Sequence, residues 1–109
     1  MHELGITQQI VEIVADRAEG RRVGRVRIEV GKLSAVLPDA VRFCWDLCIE
    51  DTLLQGSVLE ILETPGRARC RGCAAELLLD RPFGRCACGS SDLDWLTGEE
   101  LHIREVEFL

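Results

Sequence analysis

The segment PGRARCRGCAAELLLDRPFGRCACGSSDLDWLTG, residues 65–98, decides the fold, because its composition breaks with the chain on either side. Between Arg67 and Trp95 it carries four cysteines, several arginines and many glycines, without a sustained helical or alternating period. The spacing is Cys70-Arg-Gly-Cys73, twelve residues, then Cys86-Ala-Cys88-Gly. Two close cysteine pairs joined by a hairpin-length segment meet the needs of a tetrahedral structural zinc site. Each pair supplies neighbouring thiolates, and the intervening loop brings the pairs together. The stretch has too few apolar residues to fold alone, so metal binding is expected to drive its folding. Arg67, Arg69, Arg71, Arg81 and Arg85 crowd the same stretch. The expectation is that they lower the thiolate pKa and stabilise a negatively charged zinc centre. A redox dithiol, a disulfide pair and a ribbon that grips RNA compete with zinc here. No βαβ context surrounds Cys70, and only Phe83 and Trp95 are near as stacking aromatics.

Outside this stretch the periods are regular. Ile6, Ile10, Ile13, Val14 and Ala18 recur at helical spacing between Leu4 and Ala18, and Gly20 suits a stop. GRVRIEVGKL (24–33) alternates, with Val26, Ile28 and Val30 on one side and Arg25, Arg27 and Glu29 on the other, as in a half-buried strand. The stretch 34–56 reads as a second helix, with Pro38 in its first turn, Asp39 near its positive end and Gly56 as its stop. SVLEILET (57–64) reads as a second strand with Leu59 and Ile61 inward. ELHIREVEF (100–108) reads as the last strand; Leu101 and Ile103 share one phase, Val106 and Phe108 the other, which predicts a bulge or twist near Arg104. The cysteine stretch is therefore an insertion between two strands of one sheet. The expected class is α/β: a small two-helix, three-stranded-sheet domain with an inserted zinc-ribbon-like domain. Its first domain takes residues 1–66, completed by a last strand at 98–109, and the inserted zinc-binding domain takes 67–97.

The chain of 109 residues carries a formal net charge of −6, which argues against a general binder of nucleic acid or membrane surfaces. With no signal peptide and no apolar run of bilayer length, the expected location is the cytoplasm. Disulfides are rare there, so six cysteines favour metal ligands over bridges. Cys44 and Cys48 stand four apart on the second helix among Ala40, Val41 and Leu47, and are expected to pack as small hydrophobes. His102 is expected to be an exposed strand residue. No nucleophile–base pair, phosphate-binding glycine loop or paired catalytic carboxylates stand in a plausible context, so no enzyme is expected.

MHELGITQQIVEIV (1–14), VRIEVGKLSAVLPDAVRFCWDL (26–47), the two cysteine pairs and CGSSDLDWLTGEELHIREVE (88–107) together resemble the HypA/HybF family, nearly end to end. The resemblance implies a nickel metallochaperone of [NiFe]-hydrogenase maturation, with a nickel-binding α/β domain and an inserted zinc-binding domain. It places transient Ni(II) on Met1, His2 and Glu3 and structural Zn(II) on Cys70, Cys73, Cys86 and Cys88. The implied partners are a HypB-type GTPase and the hydrogenase large-subunit precursor, with no nucleic acid or membrane. The chemistry of the opening residues agrees. The Met1 amine, the His2 backbone nitrogen and the His2 imidazole can close adjacent small chelate rings in one plane, which suits Ni(II) or Cu(II) better than zinc. Glu3 could supply another backbone nitrogen, or its carboxylate could hydrogen-bond the imidazole. One departure stands out. The family's second pair is C-x-x-C, whereas here Arg85 occupies the expected first position and Cys86 follows it, which predicts a tighter turn at the metal. The alternative function is a zinc-ribbon adaptor binding protein or RNA without nickel.

Overall fold

In the computed structural model of the chain, residues 2–109 are described. The first helix, α1 (His2–Ala18), buries Thr7, Ile10, Val11, Val14 and Ala18, a stripe repeating every three to four residues. This corrects the face expected from the apolar residues alone. Ile13 is 45% exposed, while Thr7 is fully buried because its hydroxyl donates to the Glu3 carbonyl at 2.7 Å. Glu19 and Gly20 end the helix in left-handed conformations, with φ of 51° and 85°.

Strand β1 (Val23–Gly31) alternates as expected, with Val26, Ile28 and Val30 almost fully buried. Helix α2 (Pro38–Ile49) starts at the expected proline but stops seven residues short of Gly56. The cause is local hydrogen bonding that competes with the helix. The Thr52 hydroxyl donates to the Ile49 carbonyl at 2.7 Å, the Gln55 side chain accepts from the Asp51 amide at 2.9 Å, and Asp51 turns to φ 60°.

Strand β2 (Val58–Thr64) follows, then three short strands, β3 (Gly66–Cys70), β4 (Glu76–Leu79) and β5 (Leu93–Thr97), and finally β6 (Leu101–Phe108). One sheet has the order β2-β1-β6 and the other β4-β3-β5, so the second sheet is inserted between two strands of the first. In β6 the half-buried positions are Ile103, Val106 and Phe108, so the inward phase changes around Arg104. Leu101 and His102 are exposed.

The chain divides into two compact units. The first contains the chain up to Ile28, Val36–Leu62 and His102–Leu109. Its interior holds Ile10, Val14, Val26, Ile28, Val41, Trp45 and Leu54, all at most 5% exposed. On the opposite face of β1, Arg25 and Arg27 both reach Glu60, at 2.9 and 3.0 Å, and Arg27 also reaches Glu105 at 3.2 Å. The second unit contains Glu29–Ala35 and Glu63–Leu101. Its core is small: Leu33, Ala68 and Leu79, with Leu77 and Leu93 against them. Three glycines tie it together. A side chain on Gly31 would collide with the Gly98 carbonyl, and one on Gly98 would stand 2.6 Å from the Gly66 Cα. Gly98 also has φ +110°, so only glycine suits it. Among the described residues no helix is long and apolar enough to cross a membrane.

Candidate metal centres

Strand β3 pairs antiparallel with β4 (Ala68 opposite Leu77) and with β5 (Cys70 opposite Leu93), with an irregularity at Arg67/Ala68. This places Cys70 at the end of a central strand. A tight turn follows: the Ala74 amide donates to the Cys70 carbonyl and the Cys70 amide to the Ala75 carbonyl, both at 2.8 Å. The turn carries Cys73 back beside Cys70. Within the turn the Gly72 amide donates to the Cys70 Sγ at 3.3 Å. The second pair sits on a turn in which the Gly89 amide donates to the Cys86 carbonyl at 2.8 Å, with Gly89 at φ +95°.

The sulfurs of Cys70, Cys73, Cys86 and Cys88 all lie within 4.8 Å of one another. Cys70 and Cys88 are 3.6 Å apart, as are Cys73 and Cys86. Four thiolates at about 2.3 Å from a tetrahedral zinc are about 3.8 Å apart, so the donor set fits that ion. The short Cys86-x-Cys88 pair therefore brings both sulfurs to the cluster. Cys70 and Cys86 are buried, Cys73 and Cys88 exposed.

The electrostatics of the cluster favour ionisation at one sulfur and oppose it at another. The amides of Cys73 and Gly72 and the Cys88 thiol draw Cys70 down to about 7. Cys73, despite the Ala75 amide that favours its thiolate, is pushed up to about 11 by the Cys86, Cys88 and Cys70 thiols. Four adjacent sulfurs cannot all ionise unless a metal supplies the positive charge. The expected arginine contribution is corrected by the structure for three of the five, Arg67, Arg69 and Arg71. Arg67 and Arg69 pair with Glu76 at 3.4 and 3.9 Å, and Arg71 pairs with Asp94 at 2.7 Å, so these charges are largely neutralised by carboxylates. Backbone amides take over the role assigned to them.

Cys44 is buried and Cys48 half-buried on α2, apart from the four-sulfur cluster, and burial pushes the Cys48 thiol up. At the other end of the chain, His2 opens α1 with its side chain exposed, while the Met1 amine lies outside the described residues. Glu3 does something the sequence did not reveal. Its carboxylate accepts the Leu37 amide at 3.3 Å, at the start of α2. Leu37 occupies the N-cap position without a side-chain cap bond, and its own amide, one of the free donors at a helix start, finds its acceptor on α1. That amide, together with Glu3's own, holds the Glu3 carboxyl below the usual carboxylate range.

A two-helix α/β unit interrupted by a small sheet bearing four clustered thiols defines a small metal-handling protein. Residues 1–108 match the family described as hydrogenase/urease nickel incorporation, metallochaperone, HypA, and the chain belongs to that family. A hydrogenase maturation factor HypA of Nostoc punctiforme is 60% identical over 107 residues, covering 98% of this chain and 95% of its own. Its counterpart in Geotalea uraniireducens is 47% identical over 108 residues, covering 98% of each. The fold matches the solution structure of the Ni metallochaperone HypA from Helicobacter pylori with a TM-score of 0.65, covering 98% of this chain and 97% of that one, at 18% identity.

Proposed function

We propose that the chain is a cytoplasmic nickel metallochaperone that binds Ni(II) at its N-terminus and delivers it to the [NiFe]-hydrogenase large-subunit precursor, working with a HypB-type GTPase. The nickel donors are the Met1 amine, the His2 backbone nitrogen and the His2 imidazole, with Glu3 in support. Zinc on Cys70, Cys73, Cys86 and Cys88 is structural, and the chain is a carrier, not an enzyme.

The observation that carries this reading is the exposed His2 in the first turn of a helix anchored by Glu3. The first four amides of an α-helix have no partner within it, so the backbone nitrogens of His2 and Glu3 are not committed to the helix ladder. They stand beside an accessible imidazole. Glu3 fixes that turn against the start of α2 without covering it. A shallow site of this kind can pass its ion to a partner, which a transport function requires and a structural site forbids. Protons compete with the metal for these nitrogens, so affinity falls on acidification.

Titration of untagged protein with Ni(II), read by calorimetry, tests the assignment. His2→Ala should lose nickel binding at least about tenfold, the scale of one lost strong ligand contact. Its zinc content and helix signal should match the parent. Equal nickel affinity in the two proteins contradicts the site.

A further inference from the structure

The loop joining β4 to the second cysteine pair reads Asp80-Arg81-Pro82-Phe83-Gly84-Arg85. Phe83 is 81% exposed, one of the most exposed large apolar side chains in the chain. This is not a loose tip. A side chain on Gly84 would collide with Leu79, a core residue of the second unit, so the backbone beside Phe83 lies directly against that core. Pro82 restricts it from the other side. The phenyl ring is thus held outward by its own neighbours.

Beside it lies an open groove of about 450 Å³, lined by Pro82, Phe83, Gly84, Ser91, Leu93 and Trp95. Trp95 is itself 39% exposed. Two exposed arginines, Arg81 and Arg85, flank Phe83, each two residues and so at most about 7 Å of backbone away. Arg67, Arg69 and Arg71 are engaged by Glu76, Asp92 and Asp94, but no ion pair engages Arg81 or Arg85 among the described residues. Aromatic and arginine side chains together are the composition in which protein interface hot spots are enriched.

We propose that this groove is a docking surface for an acidic segment of a partner protein, which inserts one apolar side chain beside Phe83 and Trp95 while its carboxylates meet Arg81 and Arg85. Charge complementarity selects the occupant: the loop offers two free cations around an apolar niche. A single-stranded nucleic acid would ask for successive stacking platforms along a basic track. Here both aromatics line one niche rather than a succession of platforms along a track. The surface is independent of the nickel residues.

The test uses the full-length, zinc-loaded, ¹⁵N-labelled protein and four probes. These are an end-capped pentapeptide with leucine between pairs of glutamates, the same peptide with lysines for glutamates, the same with alanine for leucine, and a short oligouridylate. The glutamate–leucine peptide should shift the Phe83 and Trp95 amides and the Trp95 indole, more weakly as salt is raised. The alanine and lysine peptides should bind less tightly. Arg81→Glu with Arg85→Glu should weaken the binding about tenfold, on the scale of two exposed charge contacts, at unchanged zinc content. Arg81→Gln with Arg85→Gln gives the same reading by charge removal alone. An absence of shifts at millimolar peptide, an equal response to the lysine peptide, or a stronger response to the oligouridylate overturns the proposal.

Discussion

The two units solve the problem of stability differently. The first buries large side chains from both helices and from β1; Ile28, Leu54, Val14, Val26 and Val41 are all fully enclosed. Burying each such side chain contributes roughly 1.5–3 kcal/mol, so this unit needs no ion to hold its shape. Among the described residues the second has a core cluster of Leu33, Ala68 and Leu79, with Val30, Cys70 and Cys86 buried in addition. Cys70 and Cys86 occupy interior positions that a larger domain would give to leucine or valine. A region of this size with so little apolar interior calls for a metal or a disulfide. The lesson concerns exchange. A metal that holds a fold together cannot be given away, whereas one bound at the end of an independently stable helix can.

The comparison breaks most sharply at Cys73. Cys73→Ser should release zinc and disorder the second unit, since structural zinc contributes on the order of 10 kcal/mol to folding modules of this type. The amide signals of residues 66–97 should collapse, while the far-ultraviolet helix signal, which comes from α1 and α2, persists. Retention of zinc in that variant would remove the assignment. A smaller effect is expected inside the first unit. Cys44→Ala with Cys48→Ala should cost on the order of 1–2 kcal/mol per site by denaturant unfolding, and leave zinc and nickel stoichiometry unchanged. A change in either metal at equal folded fraction would show that these thiols are ligands.

The smallest effect lies at the contact between α1 and α2. The Glu3 carboxyl is held below its ordinary value, so its bond to the Leu37 amide stabilises the fold fully above the unfolded-state pKa and is lost as pH falls through the folded one. The Leu37 amide proton should therefore titrate with a midpoint below the ordinary glutamate value. A midpoint at or above that value contradicts the bond.

Much of this was legible in the sequence, and the failures share a cause. Alternation placed Val26, Ile28 and Val30 inward, and cysteine spacing anticipated a four-sulfur cluster, because both are local patterns. The three strands of the second sheet were missed, although Arg67-Ala68-Arg69-Cys70 does alternate exposed and buried. Five residues are too few to establish a period against glycines on either side. For Arg67, Arg69 and Arg71 the arginine expectation fails because the answering carboxylates come from other strands: Glu76 on β4 and Asp94 on β5. The end of α2 was set by Thr52 and Gln55 side chains, whose local hydrogen bonds outweigh helix propensity. Glu3 escaped notice because its partner is 34 residues away. Local pattern carries elements and ligand sets; pairings across the fold do not announce themselves.

The central claim is that exchangeable nickel and structural zinc occupy separate places in one chain, and a single extra residue before Met1 tests it most directly. That residue moves the free amine away from the His2 amide and breaks the adjoining chelate rings, yet touches neither the apolar core nor the cysteines. Metal analysis and the electronic spectrum of Ni(II) would be compared for the native and extended proteins. The account predicts that the native chain gives a low-spin, diamagnetic Ni(II) spectrum, which the extended chain loses together with tight nickel binding, while both retain one zinc. An extended chain that binds nickel as tightly and with the same spectrum would contradict it.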